Sequence, residues 1–339
     1  MDTRDALRFR WHAHLLGGSE LSPAQVVDRA VALQGQDLPA VLRAIALRSA
    51  PGTTIDDVRA AFDRGEIVRS WPLRGTLFAT TPAHLAELLA LTSERIHRST
   101  LKRRAELGLP EDVLDRARGI LLDALDERPR TRSELLALWQ AAGIDTSTGR
   151  GYHLIFHHAV AGLAHWGAFD GDEQLFTRTT DAPTPSEDAL VDITRRFVDA
   201  RGPVTEADLA WWLKLPKTQA RKAAASADLA EVVVGEQRAW IVGEADVSGD
   251  TGVTLVPAFD EWILGYADRS LTASPAMQAA LVPGNNGVFR PAILVDGTVV
   301  GTWRARAKSR KDPSFELVER VPARTRTRIE RAVEAWRLD

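Results

Sequence analysis

Two glutamines separated by a single glycine, Gln34 and Gln36, form the pair of polar residues most able to act together. Gly35 is expected to end the preceding helix. Pro39 disfavours helical angles at Leu38, so the segment from Gln34 to Leu38 is predicted to be extended. Residues two apart in an extended chain point to the same side, so both carboxamides would face one space and could hydrogen-bond a common partner. Glutamine is also a common surface residue at a helix end, and residue types alone favour that interpretation.

Two histidines four residues apart, His153 and His157, lie on a predicted helix and could offer two metal ligands on one face. The chain has no cysteine and no Glu-bearing metalloprotease pattern, so we predict no metal site and no organic cofactor. The same helix carries Arg150 and Tyr152, and as a recognition helix it would bring Arg150 and His153 to phosphates. A metal-dependent enzyme that uses the two histidines is a weaker alternative.

Adjacent acidic residues, Asp260 and Glu261, follow a predicted strand. Neighbouring side chains on a strand point in opposite directions, so these carboxylates are not expected to work as an acid–base pair. We predict a helix cap and a surface acid instead. The chain also lacks a phosphate-binding glycine loop, a Gly-x-Ser-x-Gly elbow and a nucleotide-binding fingerprint, which excludes the common ATPase, hydrolase and dehydrogenase classes.

A basic stretch follows the predicted hairpin turn Asp296-Gly297. Its alternating pattern would put Arg304, Arg306 and Lys308 on one face of a strand, and Arg310 follows them. Such a hairpin could lie along a DNA groove, although charged runs are as often solvated surface. A second basic cluster crowds one long predicted helix: Arg95, Arg98, Lys102, Arg103, Arg104.

The composition is that of a globular protein of two or three structural units, with 339 residues, 45% hydrophobic and 26% charged. The net charge of −3 excludes a uniformly basic nucleic-acid protein but leaves room for a local basic surface. No apolar run approaches the roughly 18 residues of a membrane span, and the charged N-terminus has no secretory h-region. Because the chain also has no cysteine for disulfides, we expect a cytoplasmic protein.

A helix-capping pattern, in which a threonine stands three residues before an acid, recurs roughly every 75 residues. The three copies begin at Thr54, Thr131 and Thr205. The second and third continue alike, with a short helix, a turn, a second helix and a small β-hairpin, which is the order of a winged helix-turn-helix. After Thr251 the pattern changes to strands, and an amphipathic helix closes the chain over 323–337.

These patterns predict a mainly α-helical fold with small β-wings, in the α+β class, built of tandem winged helix-turn-helix units. The first unit, with N-terminal helices and the glutamine pair, would span 1–108, the second 109–182 and the third 183–250. A C-terminal β-subdomain with its closing helix would follow over 251–339. A non-enzymatic transcription regulator with the same winged helices is the main alternative to an enzyme, and it would have no need for paired amides.

Three groups of residues in matching order carry a family resemblance: Leu33-Gln34-Gly35-Gln36-Asp37, then Arg69-Ser70-Trp71-Pro72-Leu73-Arg74-Gly75-Thr76-Leu77, then Pro257-Ala258-Phe259-Asp260 with Gly265-Tyr266-Ala267-Asp268-Arg269. On these residues the chain resembles the AlkZ/AlkX (YcaQ-like) family of bacterial winged-helix DNA glycosylases. The resemblance implies three winged helices and a small β-barrel-like subdomain in a C-shaped scaffold that holds DNA. Phe78 stands where many members have a histidine, so the role of that histidine does not carry over.

The resemblance implies that Gln34 and Gln36, which match the Gln-x-Gln motif of the AlkZ branch, are catalytic. The implied reaction is hydrolysis of the N-glycosidic bond of N7-alkylated purines in duplex DNA, including bulky adducts and interstrand crosslinks. Alkylation at N7 places a positive charge on the base, so the base leaves readily and a strong general acid is unnecessary. Two neutral amides can then orient the attacking water and tolerate the developing charge.

We therefore expect a monofunctional enzyme that acts as a monomer on double-stranded DNA, in repair or in self-resistance to a genotoxic natural product. The expected DNA contacts are basic side chains of the winged helices and of the C-terminal hairpin: Arg69, Arg74, Arg150, His153, Arg304, Arg306, Lys308, Arg310. The overall acidity predicts a modest affinity for DNA that falls as the salt concentration rises.

Overall fold

The computed structural model describes residues 1–180, 184–244, 249, 251–305 and 313–336. The chain divides into a terminal unit, which combines Met1–Val58 with Leu190–Asp339, and a central unit, Arg59–Ala189. Helices dominate both units, and the strand pairings within each are antiparallel. The predicted mainly helical α+β fold with small β-elements is confirmed. The four predicted domains and their boundaries stay a prediction.

The elements follow one another in this order. The terminal unit begins with α1 (Thr3–Ala13), α2 (Pro23–Ala30), β1 (Ala32–Gln34), α3 (Leu38–Arg48) and the start of α4 (Ile55–Asp63). The central unit contains the rest of α4 and then β2 (Val68–Leu73), β3 (Thr76–Thr80), α5 (Pro82–Glu106), α6 (Glu111–Glu127), α7 (Arg132–Ala141), α8 (Arg150–Val160), β4 (Ala164–Asp170) and β5 (Glu173–Arg178). The chain then returns to the terminal unit with α9 (Ala189–Arg201), α10 (Glu206–Leu213), α11 (Lys217–Ser226), β6 (Ala230–Val234), β7 (Gln237–Ile241), β8 (Val253–Val256), α12 (Glu261–Leu264), α13 (Pro275–Leu281), β9 (Ala292–Val295), β10 (Thr298–Arg304), β11 (Ser314–Leu317) and α14 (Ala323–Ala335).

Local capping sets where three of the helices begin. Each predicted threonine cap is present, and in each the acid accepts a hydrogen bond from the threonine N–H in return: Thr54–Asp57, Thr131–Glu134, Thr205–Asp208. Glu134 also binds Arg128, and this contact together with the cap lowers the pKa of Glu134 to about 2. The caps satisfy N–H groups at helix starts that have no partner within the helix.

Small sheets accompany the helices in both units. In the central unit the strands run in the order β3-β2-β4-β5, and aromatic side chains such as Trp139 and Phe176 fill its core. In the terminal unit β6 and β7 form a two-stranded wing, and a second sheet has the order β11-β10-β9-β8. The predicted Asp296-Gly297 turn joins β9 to β10 with φ of 48° and 80°, values that favour glycine at the second position. None of the helices in the described ranges is both long and apolar enough to cross a membrane.

Three histidines pack together in the central unit, of which His158 is buried and His97 and His157 are partly buried. The His97 ring on α5 lies 4.5 Å from the His157 ring on α8, and the rings of His157 and His158 are 5.3 Å apart. Burial, and after it the charge of neighbouring groups, lowers the pKa of His157 to about 4 and that of His158 to about 3. Both imidazoles are therefore neutral in the folded protein at neutral pH.

These depressed pKa values make the folded state sensitive to acid. The unfolded chain takes up protons near its ordinary histidine pKa of about 6.5, while the folded chain does so only near pH 4 and 3. We expect the free energy of unfolding to fall as the pH drops from 6.5 to 4, by about 1.4 kcal/mol per pH unit for each such proton. The variant His158→Phe should show a shallower dependence in urea denaturation, and an unchanged slope would contradict the assignment. His12→Gln, at an exposed histidine, is the control.

Candidate active site

The glutamine pair lies where β1 ends and the chain turns into α3. Gln34 is the last residue of β1 and is only 8% exposed, whereas Gln36 is exposed. The Gly35 N–H donates a hydrogen bond to the Gln34 side chain at 3.1 Å, and because an N–H can only donate, the accepting atom is Oε1. This contact fixes which way the Gln34 amide is turned.

The extended segment that begins at Gln34 is shorter than predicted. α3 begins at Leu38, with Pro39 in its first turn, so the chain is not extended as far as Leu38. A proline is compatible with a first turn because its missing N–H would have no helical partner there. Asp37 is the N-cap of α3, and its Oδ1 accepts from Ala40 N at 2.9 Å. The side-by-side orientation of the two amides stays a prediction.

Glu261 holds the main chain of the buried glutamine. Its Oε1 accepts a hydrogen bond from Gln34 N at 3.2 Å, and its Oε2 accepts from Arg201 Nε and Nη2 at 3.1 and 2.9 Å. Both charged side chains are almost completely buried. The prediction of a surface acid at Glu261 is therefore wrong, because its carboxylate faces a buried arginine that the local sequence does not reveal.

Arg201 also explains where α2 ends. Its guanidinium donates to Ala30 O at 2.9 Å and to Ala32 O at 2.7 Å, so it takes carbonyl groups on both sides of Val31. Val31 has a φ of 64°, a strained value for a β-branched residue. The helix that Gly35 was predicted to end stops instead at Ala30.

A second buried ion pair lies beside the first. Arg48, the last residue of α3, donates to both carboxylate oxygens of Asp260 at 2.9 and 2.8 Å. Asp260 Oδ1 also accepts from Trp262 N and caps α12, as predicted from its position after a strand. The two pairs together fix α12 against the segments that flank the glutamine motif.

A small cavity of about 10 Å³, room for about one water molecule, lies inside this charged cluster. Its polar walls come from side chains of both ion pairs and from two further residues: His14, Arg29, Arg48, Arg201, Glu261. The His14 Nε2 and Tyr266 Oη atoms are 2.7 Å apart, and the Tyr266 hydroxyl donates to Arg201 O. Burial, and then the charges of Arg48 and Arg201, hold the pKa of His14 well below its ordinary value, so His14 is neutral.

The arginines of this cluster are the functional residues that sequence reasoning missed. Arg48 and Arg201 lie far along the chain from their acidic partners, and neither belongs to a motif. The sequence signal was indirect, since Asp260 belongs to the group of residues around Phe259 that carries the family resemblance and Glu261 follows it directly.

The four predicted DNA-contact residues of the central unit differ from one another in the contacts that they make. Arg69 is partly exposed on β2, and Arg74 lies in the β2–β3 turn with its guanidinium 5.2 Å from the centre of the Phe78 ring. Arg150 donates to three main-chain carbonyls near the end of α5 and before α8, which gives it a structural role. His153 is partly exposed, and burial followed by Arg103 lowers its pKa.

The structure describes only the start of the basic stretch that is predicted to contact DNA. Arg304 is exposed at the end of β10, whereas Arg306, Lys308 and Arg310 lie outside the described residues.

The metal site was the weaker alternative for the histidines. Within the described ranges, no group of three or more histidine, aspartate or glutamate side chains is arranged to hold a metal ion.

The buried Arg48–Asp260 pair makes a direct prediction about stability. We expect Arg48→Met to lower the free energy of unfolding by about 3 kcal/mol or more, because it leaves the Asp260 carboxylate buried without its cation. Arg64→Met, which breaks an exposed pair with Glu66, should have a much smaller effect. Urea denaturation of the purified variants measures both values, and equal losses would contradict the role given to the buried pair.

Comparisons with known proteins show the family and the fold of this chain. A curated relative, an interstrand DNA cross-link repair glycosylase from Streptomyces sahachiroi, is 24% identical over 328 residues, with 89% of this chain and 87% of the relative covered. The solved structure of the S. sahachiroi DNA glycosylase AlkZ has the same fold, with a TM-score of 0.81 and 22% identity over 100% of this chain and 98% of that one. The model of the AlkZ-like DNA glycosylase family matches residues 27–337. The chain belongs to the AlkZ-like family of DNA glycosylases.

Proposed function

We propose that this family member hydrolyses the N-glycosidic bond of N7-alkylated purines in duplex DNA, bulky adducts and interstrand crosslinks included. The observation that carries the proposal is the Gln-x-Gln motif itself, in which Gln34 is held by Glu261 and Gln36 is exposed. The family assignment favours an enzyme over a transcription regulator. The name of the S. sahachiroi relative supports crosslinked DNA as a substrate.

The two amides suit a reaction in which the base already carries positive charge. Loss of a cationic purine leaves a sugar with oxocarbenium character, which needs a positioned water more than it needs an acid. Gln36 is exposed, so its carboxamide lies at the surface that DNA would approach. Gln34, whose amide is oriented by the Gly35 N–H, would help to position the water.

The same residues argue for a monofunctional enzyme. A carboxamide is not a nucleophile and forms no Schiff base with the sugar, so water is the group that attacks. The products are then a free base and an abasic site. We propose that one copy of the chain is sufficient, because both amides come from a single β1–α3 segment.

Three of the predicted phosphate contacts remain part of the proposal. Arg69 and Arg74 are partly exposed on the β2–β3 hairpin, and Arg304 is exposed at the end of β10. Arginine suits this role because its planar donors match phosphate oxygens. Arg150 is assigned instead to the carbonyl groups that it binds.

The experiment measures base release from duplex DNA that contains a single N7-methylguanine. We expect Gln34→Ala and Gln36→Ala to lower the rate of release at saturating enzyme by about 100-fold or more, the usual range for loss of a group that stabilises the transition state. Binding to the same duplex should change little, because neither residue carries charge. Loss of release with binding kept supports the proposal.

The matched control is Gln278→Ala, which removes a partly exposed glutamine of α13. It should release the base at the wild-type rate. If the wild-type protein binds but releases no base from simple, bulky or crosslinked adducts, the proposal fails and the regulator is the better interpretation.

A further inference from the structure

The closing helix, α14, is rigidly fixed on one side. Ile329 and Val333 are buried in the core that α14 forms with the sheet of β8 to β11. The Trp336 ring lies 4.6 Å from the ring of Trp303, whose Nε1 donates to Val256 O at 3.0 Å. The packing on this side holds the helix in place, and the side chains on its other side project toward solvent.

That opposite side carries three exposed arginines: Arg324, Arg328, Arg331. We call them the arginine ridge. Their spacing of four and three residues places them on one face of a helix, over a length of roughly 10 Å. The Arg328 guanidinium lies beside Gly252, where a Cβ would come within 2.6 Å of one of its nitrogens, so this exposed side chain lies next to the start of β8.

The arginine ridge is electrostatically unfavourable for the helix that carries it. Like charges at these spacings repel, and Arg324 stands in a first turn that contains no acid, at the positive end of the helix dipole. Within the described part of the chain, no carboxylate lies within 4 Å of the ridge guanidinium groups. Arg326 of the same helix differs, since it pairs with Glu330 at 3.3 Å. Helix stability does not explain the ridge.

We propose that the arginine ridge binds the phosphate backbone of duplex DNA, as a contact surface separate from the glutamine motif and from the β10–β11 hairpin. A polyanion is the partner that relieves the mutual repulsion of three neighbouring cations. Arginine forks also bind phosphate oxygens through paired hydrogen bonds, and they do so without reading sequence. The proposal rests on the proposed function only in that DNA is the ligand.

The test compares DNA binding by the full chain and by the triple variant Arg324→Gln/Arg328→Gln/Arg331→Gln. The probe is an undamaged fluorescent 20-base-pair duplex, titrated at several KCl concentrations. We expect the slope of log Kobs against log salt to become shallower by about 1 to 3, because each lost phosphate contact removes about 0.9. The affinity at low salt should fall at least 10-fold, and the melting temperature should not fall.

The control variant, Arg64→Gln/Arg128→Gln/Arg221→Gln, makes the same change in net charge at exposed arginines that each pair with a glutamate. It should keep the wild-type slope. If the ridge variant also keeps that slope, the proposal is overturned and the ridge faces some other partner. Since undamaged DNA is the probe, this result is independent of whether the protein releases alkylated bases.

Discussion

Two buried charges of opposite sign, Arg201 and Glu261, hold the segment on which the proposed chemistry depends. Removing one member of a buried pair leaves an uncompensated charge, so such a pair persists only when its hydrogen bonds are satisfied. Here the guanidinium binds Glu261 and the carbonyl groups of Ala30 and Ala32, and the carboxylate binds Gln34 N. The position of Gln34 thus depends on residues of α9 and α12.

The pair shows how a strained backbone can be maintained beside a functional residue. Val31 has a positive φ that a β-branched residue rarely adopts, immediately before the strand that carries Gln34. Arg201 binds the carbonyl groups on both sides of it, which offsets the strain and ends α2 early. The adjacent Arg48–Asp260 pair holds the end of α3 against the start of α12. Support of this kind keeps the main chain at Gln34 in place.

Local physical chemistry made much of the fold predictable. Threonine caps mark three helix starts, the Asp296-Gly297 turn marks a hairpin, and the order of motifs indicates the family. The sequence predicts the pair Gln34 and Gln36 as the candidate site, and this stays a prediction; it does not predict the buried side chains that hold the segment. The end of α2 and the burial of Glu261 were missed because both depend on Arg201, which is more than half the chain away from Ala30 in the sequence. No pattern of period two or 3.6 encodes such a contact.

We infer that Glu261 acts by positioning Gln34. A double-mutant cycle on the rate of base release tests this role most directly. Glu261→Gln and Gln34→Ala would be measured singly and together on duplex DNA with one N7-methylguanine. If Glu261 only positions Gln34, its replacement slows release in the wild-type background and adds nothing once Gln34 is alanine. If the two losses multiply, Glu261 acts independently of Gln34 and the account is contradicted.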